Sequence, residues 1–223
     1  MPDGQYSFYL HSDDRTGIAA MATISTISQP LRGEFIRTAA TAGAVVYQVD
    51  ARLPALIPVF FAGQLSAVRL CAVMALVSGT WSSLTGLPDE PENGGAALPV
   101  SPETEYQRRR YTLTLQNGRS GERVESVLTE ASSRLRGDLL RNLIITGLAL
   151  HTTAPELPRL LASMPVPPTS VSELQALVQQ MAGTADVNRA AAAVPDTPTA
   201  SAAPVSGSDT REIKKNMRRA FGD

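Results

Sequence analysis

The chain has 223 residues, 43 % of them apolar and 5 % aromatic, with 20 basic and 21 acidic side chains and a formal charge of −1. A sizeable core built mainly from Leu, Val, Ile and Ala is affordable, and both a wholly disordered chain and a uniformly basic nucleic-acid binder are excluded. A single cysteine, Cys71, and two histidines, His11 and His151, exclude a disulfide scaffold and a Cys-rich metal site.

Residues 1–17 mix Gly, Asp and Ser with Tyr6, Phe8 and Tyr9. They read as an N-terminal arm, in which alternation around residues 6–10 also fits a short strand. Residues 18–29 are apolar and β-branched, and helix and strand both fit. Pro30 then opens a helical spacing through Leu31, Phe35, Ile36, Ala39 and Ala40 up to Gly43. Residues 44–49 (AVVYQV) read as a strand. After the proline-punctuated segment 53–61, residues 64–77 read as a helix. It is apolar on nearly all faces, hence central, and stops at Gly79. Residues 86–102, with four prolines and Gly94–Gly95, form a loop where two lobes would divide.

Residues 111–116 (YTLTLQ) alternate as a strand, and Asn117–Gly118 mark a turn. Residues 120–150 carry the longest helical pattern, stepping through Val124, Leu128, Ala131, Leu135, Leu139 and Leu143. Gly137 and Gly147 weaken it, so one kinked helix or two helices are expected. Thr153–Glu156 and Ser170–Glu173 each have capping-box spacing, predicting short helices over 155–164 and 171–182, the second closed by Gly183. Residues 190–208 are dominated by Ala, Pro and Ser and cannot bury enough surface to offset ordering. Residues 184–223 therefore read as a disordered tether with a basic tail. No internal repeat with a period of 20–50 residues is visible. No secretory segment is seen at the N-terminus, and the apolar run 53–63 is too short to span a bilayer, so a soluble intracellular protein is expected. The fold class is mainly α, an α+β chain with a few short strands, its helical core over residues 18–183.

Signatures of catalysis are missing: GxxxxGK[ST], GxGxxG, HExxH and GxSxG do not occur. Cys71 sits in an apolar helix, His151 at a helix end, and Asp13–Asp14 in a solvated loop. The expectation is no enzyme, no metal and no cofactor. Charge is more telling. There are 18 Arg and two Lys, and between Tyr106 and Arg141 eight Arg face four acids. Arg108, Arg109 and Arg110, flanked by Tyr106 and Tyr111, have the composition that grips phosphates and stacks on bases. On one continuous helix, Arg123, Arg134 and Arg141 would return to within about 20° of one direction and form a row. The pairs Glu130–Arg134 and Asp138–Arg141 offer the plainer reading of a solvated, laced face. The tail adds Lys214, Lys215, Arg218 and Arg219. Its Ile213, Met217 and Phe221 also suit docking into a partner's groove.

With 30 Ala, 19 Ser and 16 Pro, an Arg-rich middle and the segment 190–208, the chain resembles the proline–alanine–serine-rich proteins of polymycoviruses, double-stranded RNA viruses of fungi. That resemblance implies a viral structural protein in the virion or host cytoplasm. It would coat viral RNA, double-stranded, without sequence preference and self-assemble into an oligomer or filament, with no membrane partner. Plant-virus rod coat proteins are a neighbouring likeness. The near-neutral charge departs from a coat that holds RNA by charge alone and shifts the burden to protein–protein contacts. The alternative is a non-viral adaptor that docks through its C-terminal tail.

Overall fold

A computed structural model describes residues 4–80 and 108–192, with side chains as far as residue 183. The described part is mainly α, as the apolar spacing requires. In chain order it holds strand β1 (Gln5–His11) and helices α1 (Arg15–Ser25), α2 (Arg32–Val49), α3 (Leu53–Phe60) and α4 (Ala67–Ser78). Strand β2 (Arg108–Thr114) follows, then α5 (Arg119–Glu130), α6 (Arg136–Thr153), α7 (Leu157–Ser163) and α8 (Val171–Ala192).

This order is one unit written twice. Strand, two helices, a short helix and a further helix recur in register, and identical residues stand 104 positions apart. Leu31-Arg32-Gly33 returns as Leu135-Arg136-Gly137, Arg37 as Arg141 and Gly43 as Gly147. Leu53-Pro54 returns as Leu157-Pro158, and Ser66 as Ser170. Local hydrogen bonds repeat too. Arg32 Nε donates to the Ile27 carbonyl at 2.8 Å, and Arg136 Nε to the Ala131 carbonyl at 3.2 Å. Thr16 Oγ1 donates to the Pro58 carbonyl at 3.1 Å, and Ser120 Oγ to the Ala162 carbonyl at 3.3 Å. The period exceeds the 20–50 residues in which a solenoid repeat would show.

The copies meet across a two-fold relation at the centre of the core. Helices α2 and α6 cross so closely that a Cβ on Gly43 would lie 2.0 Å from the Leu143 carbonyl oxygen. One on Gly147 would lie 2.2 Å from that of Ala39. Ala39 and Leu143 occupy equivalent places, so the contact is reciprocal. Small side chains on α2 (Ala39, Ala40, Ala42, Ala44) lie buried opposite bulkier ones on α6 (Leu143, Ile144, Leu148), which keeps the volume filled. The strands obey the same relation. In the strands the offset is 105, one more than in the helices: buried Phe8 and Leu10 correspond to Leu113 and Leu115, and the His11 carbonyl that crowds Gly17 corresponds to the Gln116 carbonyl that crowds Gly121. β1 pairs antiparallel with β2, Tyr6 opposite Leu113 and Phe8 opposite Tyr111, centred on the equivalent pair Ser7 and Thr112.

Several sequence expectations change. Residues 44–49 are no strand but the end of α2. Ala44, Val45 and Val46 are buried, and the packing of α2 against α3, α5, α6 and α7 overrides a β-branched preference worth only tenths of a kcal/mol per residue. Residues 18–25 are helical, opened by Asp14, whose carboxylate accepts from the Thr16 amide at 3.1 Å. Residues 53–60 form α3, with Pro54 in its first turn. The segment 120–150 is two helices, broken over 131–135 rather than at either glycine. Helix α4 does end at Gly79, in the left-handed region at φ 70°. It is not central, because Val68 and Leu76 stay 44 % and 55 % exposed. Thr153 caps no new helix. It closes α6 and donates to the Leu65 carbonyl at 2.7 Å. Ser170 does cap α8, accepting from the Glu173 amide at 3.2 Å, while Glu173 returns its bond to the Thr169 amide at 2.8 Å. Helix α8 runs past Gly183 to Ala192.

Cys71 is buried on α4, and that burial pushes its thiol up from the ordinary range. A thiol reagent should therefore leave the native chain unlabelled and titrate it promptly in denaturant. Rapid native labelling would show that α4 opens readily.

Candidate nucleic-acid interface

Strand alternation sorts the ribbon into two faces. The inner face carries Phe8 and Leu10 from β1 with Leu113 from β2, all buried, and Phe8 stacks on Tyr111 with ring centroids 5.3 Å apart. The outer face carries Gln5, Ser7, Tyr9 and His11 beside Arg108, Arg110, Thr112 and Thr114. Gln5 and the four β2 residues are exposed. The two outer arginines are held at their positions. The Arg108 guanidinium lies 3.7 Å from the Tyr9 ring centroid, and Arg110 donates from Nη2 and Nε to Ser7 Oγ at 2.9 and 3.2 Å.

Of the arginine cluster, Arg108 and Arg110 thus share a surface. Arg109 turns to the other side of the strand, its guanidinium 5.4 Å from the Tyr111 ring. Tyr111 is no surface stacker. It packs under the ribbon, and its burial holds its hydroxyl above the ordinary tyrosine range. The expected row of Arg123, Arg134 and Arg141 does not form, since the helix it needed is two. Arg123 lies on α5, Arg134 is exposed in the 131–135 connection, and Arg141 on α6 is ion-paired with Asp14. Asp14, read as a solvated loop residue, is thereby a structural one. Neither Glu130–Arg134 nor Asp138–Arg141 is among the ion pairs of the described residues. Lys214, Lys215, Arg218 and Arg219 lie outside the described residues, as does Tyr106.

Gln5, Ser7, Tyr9, Thr112 and Thr114 were missed as surface partners of the arginines. Their signal was the polar alternation of Gln5, Ser7 and His11, and of Thr112 and Thr114, on either side of the buried Phe8, Leu10 and Leu113. Elsewhere the structure is sparing. A cavity of about 260 Å³ lies between α2 and the start of α5, lined by Glu34, Arg37, Gly118 and Arg119 among others. His151 Nδ1 lies 3.1 Å from the Pro155 carbonyl, and its ring meets Phe35 edge-on. No group of three or more His, Cys, Asp or Glu suited to a metal occurs among the described residues. No described helix is long and apolar enough to cross a membrane.

The sequence matches the family described as plasmid stability protein over residues 4–74 and 109–178. These two segments are the two structural copies, and together they cover more than half of the chain. The chain belongs to the plasmid stability protein family. This overturns the likeness to polymycovirus coat proteins and, with it, the viral structural role. That likeness rested on Ala, Pro and Ser content, and on residues 190–208 above all, whereas the family match lies in the folded copies. No curated protein and no solved structure matches this plasmid stability chain. Within the family match lie both strands of the ribbon except Arg108, one residue before the second segment begins.

Proposed function

We propose that the chain is a non-enzymatic plasmid maintenance protein that holds duplex DNA through the outer face of the β1–β2 ribbon. The observation that carries the reading is the pair Arg108 and Arg110, set side by side with Tyr9 and Ser7 on the solvent face of a two-stranded antiparallel ribbon. Such a ribbon, with strands about 4.8 Å apart, suits the roughly 12 Å width of the B-DNA major groove. The deep, narrow major groove of A-form RNA does not admit it. An arginine fork matches both a guanine edge and a phosphate, and the neighbouring hydroxyls serve either. A net charge of −1 is no obstacle, because the ribbon delivers its cations locally.

The test is fluorescence anisotropy of a labelled plasmid-derived duplex with the full 223-residue chain as salt is raised. Affinity should fall steeply with salt. Arg108→Ala and Arg110→Ala should each weaken binding about ten-fold, while Arg69→Ala on α4 should change little. Equal binding by wild type and the double ribbon variant, with far-UV dichroism confirming both are folded, would overturn the reading.

A further inference from the structure

We infer that the two ends of the ribbon face read different base pairs, so that the preferred DNA site is not palindromic and the protein lies on it in one orientation. This rests on the DNA-binding reading above and goes beyond it to the sequence class of the site.

A two-fold symmetric reader presents the same side chains to both half-sites, and its site mirrors that symmetry. Here the backbone keeps the two-fold, centred on Ser7 and Thr112, but the chain is free to differ at each equivalent position. It does. Gln5 in the first copy stands where Arg110 stands in the second, and Tyr9 where Thr114 stands. The antiparallel register then gathers the difference at the ends. One end holds Tyr9, His11, Arg108 and Arg110, and the other holds Gln5 and Thr114. Only the central position, Ser7 against Thr112, keeps an aliphatic hydroxyl in both copies.

The chemistry of the two ends differs accordingly. Arginine is complementary to guanine O6 and N7, and glutamine to adenine N6 and N7. Ser7 engages Nε and one hydrogen of Nη2 on Arg110, which leaves Nη1 and the second Nη2 hydrogen for a base edge. The arginine end therefore selects guanine, and the opposite end selects adenine or discriminates weakly. Two chains with one copy each could not make this distinction; a duplicated chain can.

The experiment is selection of bound duplexes from a random pool by the full chain, followed by sequencing, for wild type and Arg110→Gln. The expected wild-type motif is guanine-rich at one end only. In Arg110→Gln, which makes the two copies alike at this position, the guanine preference should drop about ten-fold or more and the motif should move toward a palindrome. A palindromic wild-type motif overturns the inference. So does salt-sensitive binding with no enriched motif, which leaves the DNA-binding reading standing. Absence of any binding overturns both. An Arg110→Gln motif identical to wild type, from protein whose dichroism shows a native fold, removes Arg110 as the discriminating residue and overturns the inference.

Discussion

Replacing Gly43 or Gly147 with valine should collapse the stability of the whole domain. In an ordinary helix interior, losing a glycine is favourable by up to about 1 kcal/mol, because a side chain restricts the unfolded backbone and favours the helix. Here the sign reverses. The first added carbon would sit 2.0 Å from the Leu143 oxygen at one site and 2.2 Å from the Ala39 oxygen at the other. The obstacle in each case is backbone, which no side-chain rotation relieves. Helices α2 and α6 would have to separate, opening the most enclosed part of the core. At least about 3 kcal/mol is expected, and a melting temperature lower by roughly 10 °C. Gly33→Ala is the control, since a Cβ there meets only the Arg37 guanidinium, at 3.7 Å. Circular dichroism melts decide the matter. Gly43→Val melting with wild type would mean that the helices do not cross at this point.

Asp14→Ala should also destabilise the domain. Asp14 caps α1 through the Thr16 amide and is the ion-pair partner of Arg141 on α6, so one carboxylate ties a helix start to the central helix. Loss of the cap costs about 1 kcal/mol. The Arg141 side chain is only 22 % exposed, and its Nε is already buried without a partner. Stranding the guanidinium adds roughly another 1–2 kcal/mol, less than for a fully buried pair because water still reaches it. The melting temperature should fall by about 5–10 °C. Asp14→Asn keeps a capping oxygen without the charge and should recover part of the loss. Asp13→Ala, exposed beside it, should stay within about 0.5 kcal/mol of wild type. If Asp13→Ala and Asp14→Ala melted alike, the coupling between α1 and α6 would be refuted.

The difference between the copies at this point is itself informative. Arg37 is the equivalent of Arg141, yet the N-cap of α5 is Gly118, which has no side chain to cap with. The first copy supplies a carboxylate where the second supplies a bare turn. The two halves differ on the outer face of the ribbon, at Gln5 and Arg110, and in the core, at Ala39 and Leu143.

The repeat was legible in the residues. Leu31-Arg32-Gly33 and Leu135-Arg136-Gly137, with an arginine and a glycine at matching distances beyond, stand in plain view. Core substitution hides it: Ala39 faces the sequence reader where Leu143 stands in the other copy, and Ala40 where Ile144 stands. Those pairs look unrelated until the crossing shows that a small residue on one helix leaves room for a large one on the other. The bias in Ala, Pro and Ser drew attention to residues 190–208, while the information about kinship lay in the folded copies.

Local chemistry by itself determined the apolar stripes, the Ser170 cap, the stop at Gly79 and the strand alternation around Phe8 and Leu113, because each depends on neighbours within a turn or two of chain. Three matters were left to the tertiary structure: that residues 44–49 are helix, that Arg141 belongs to Asp14, and that Arg108 and Arg110 share a surface with Tyr9 and Ser7. Each depends on groups about a hundred residues apart or on a helix being enclosed on every side. Periodicity along one segment carries no record of what the other copy places against it.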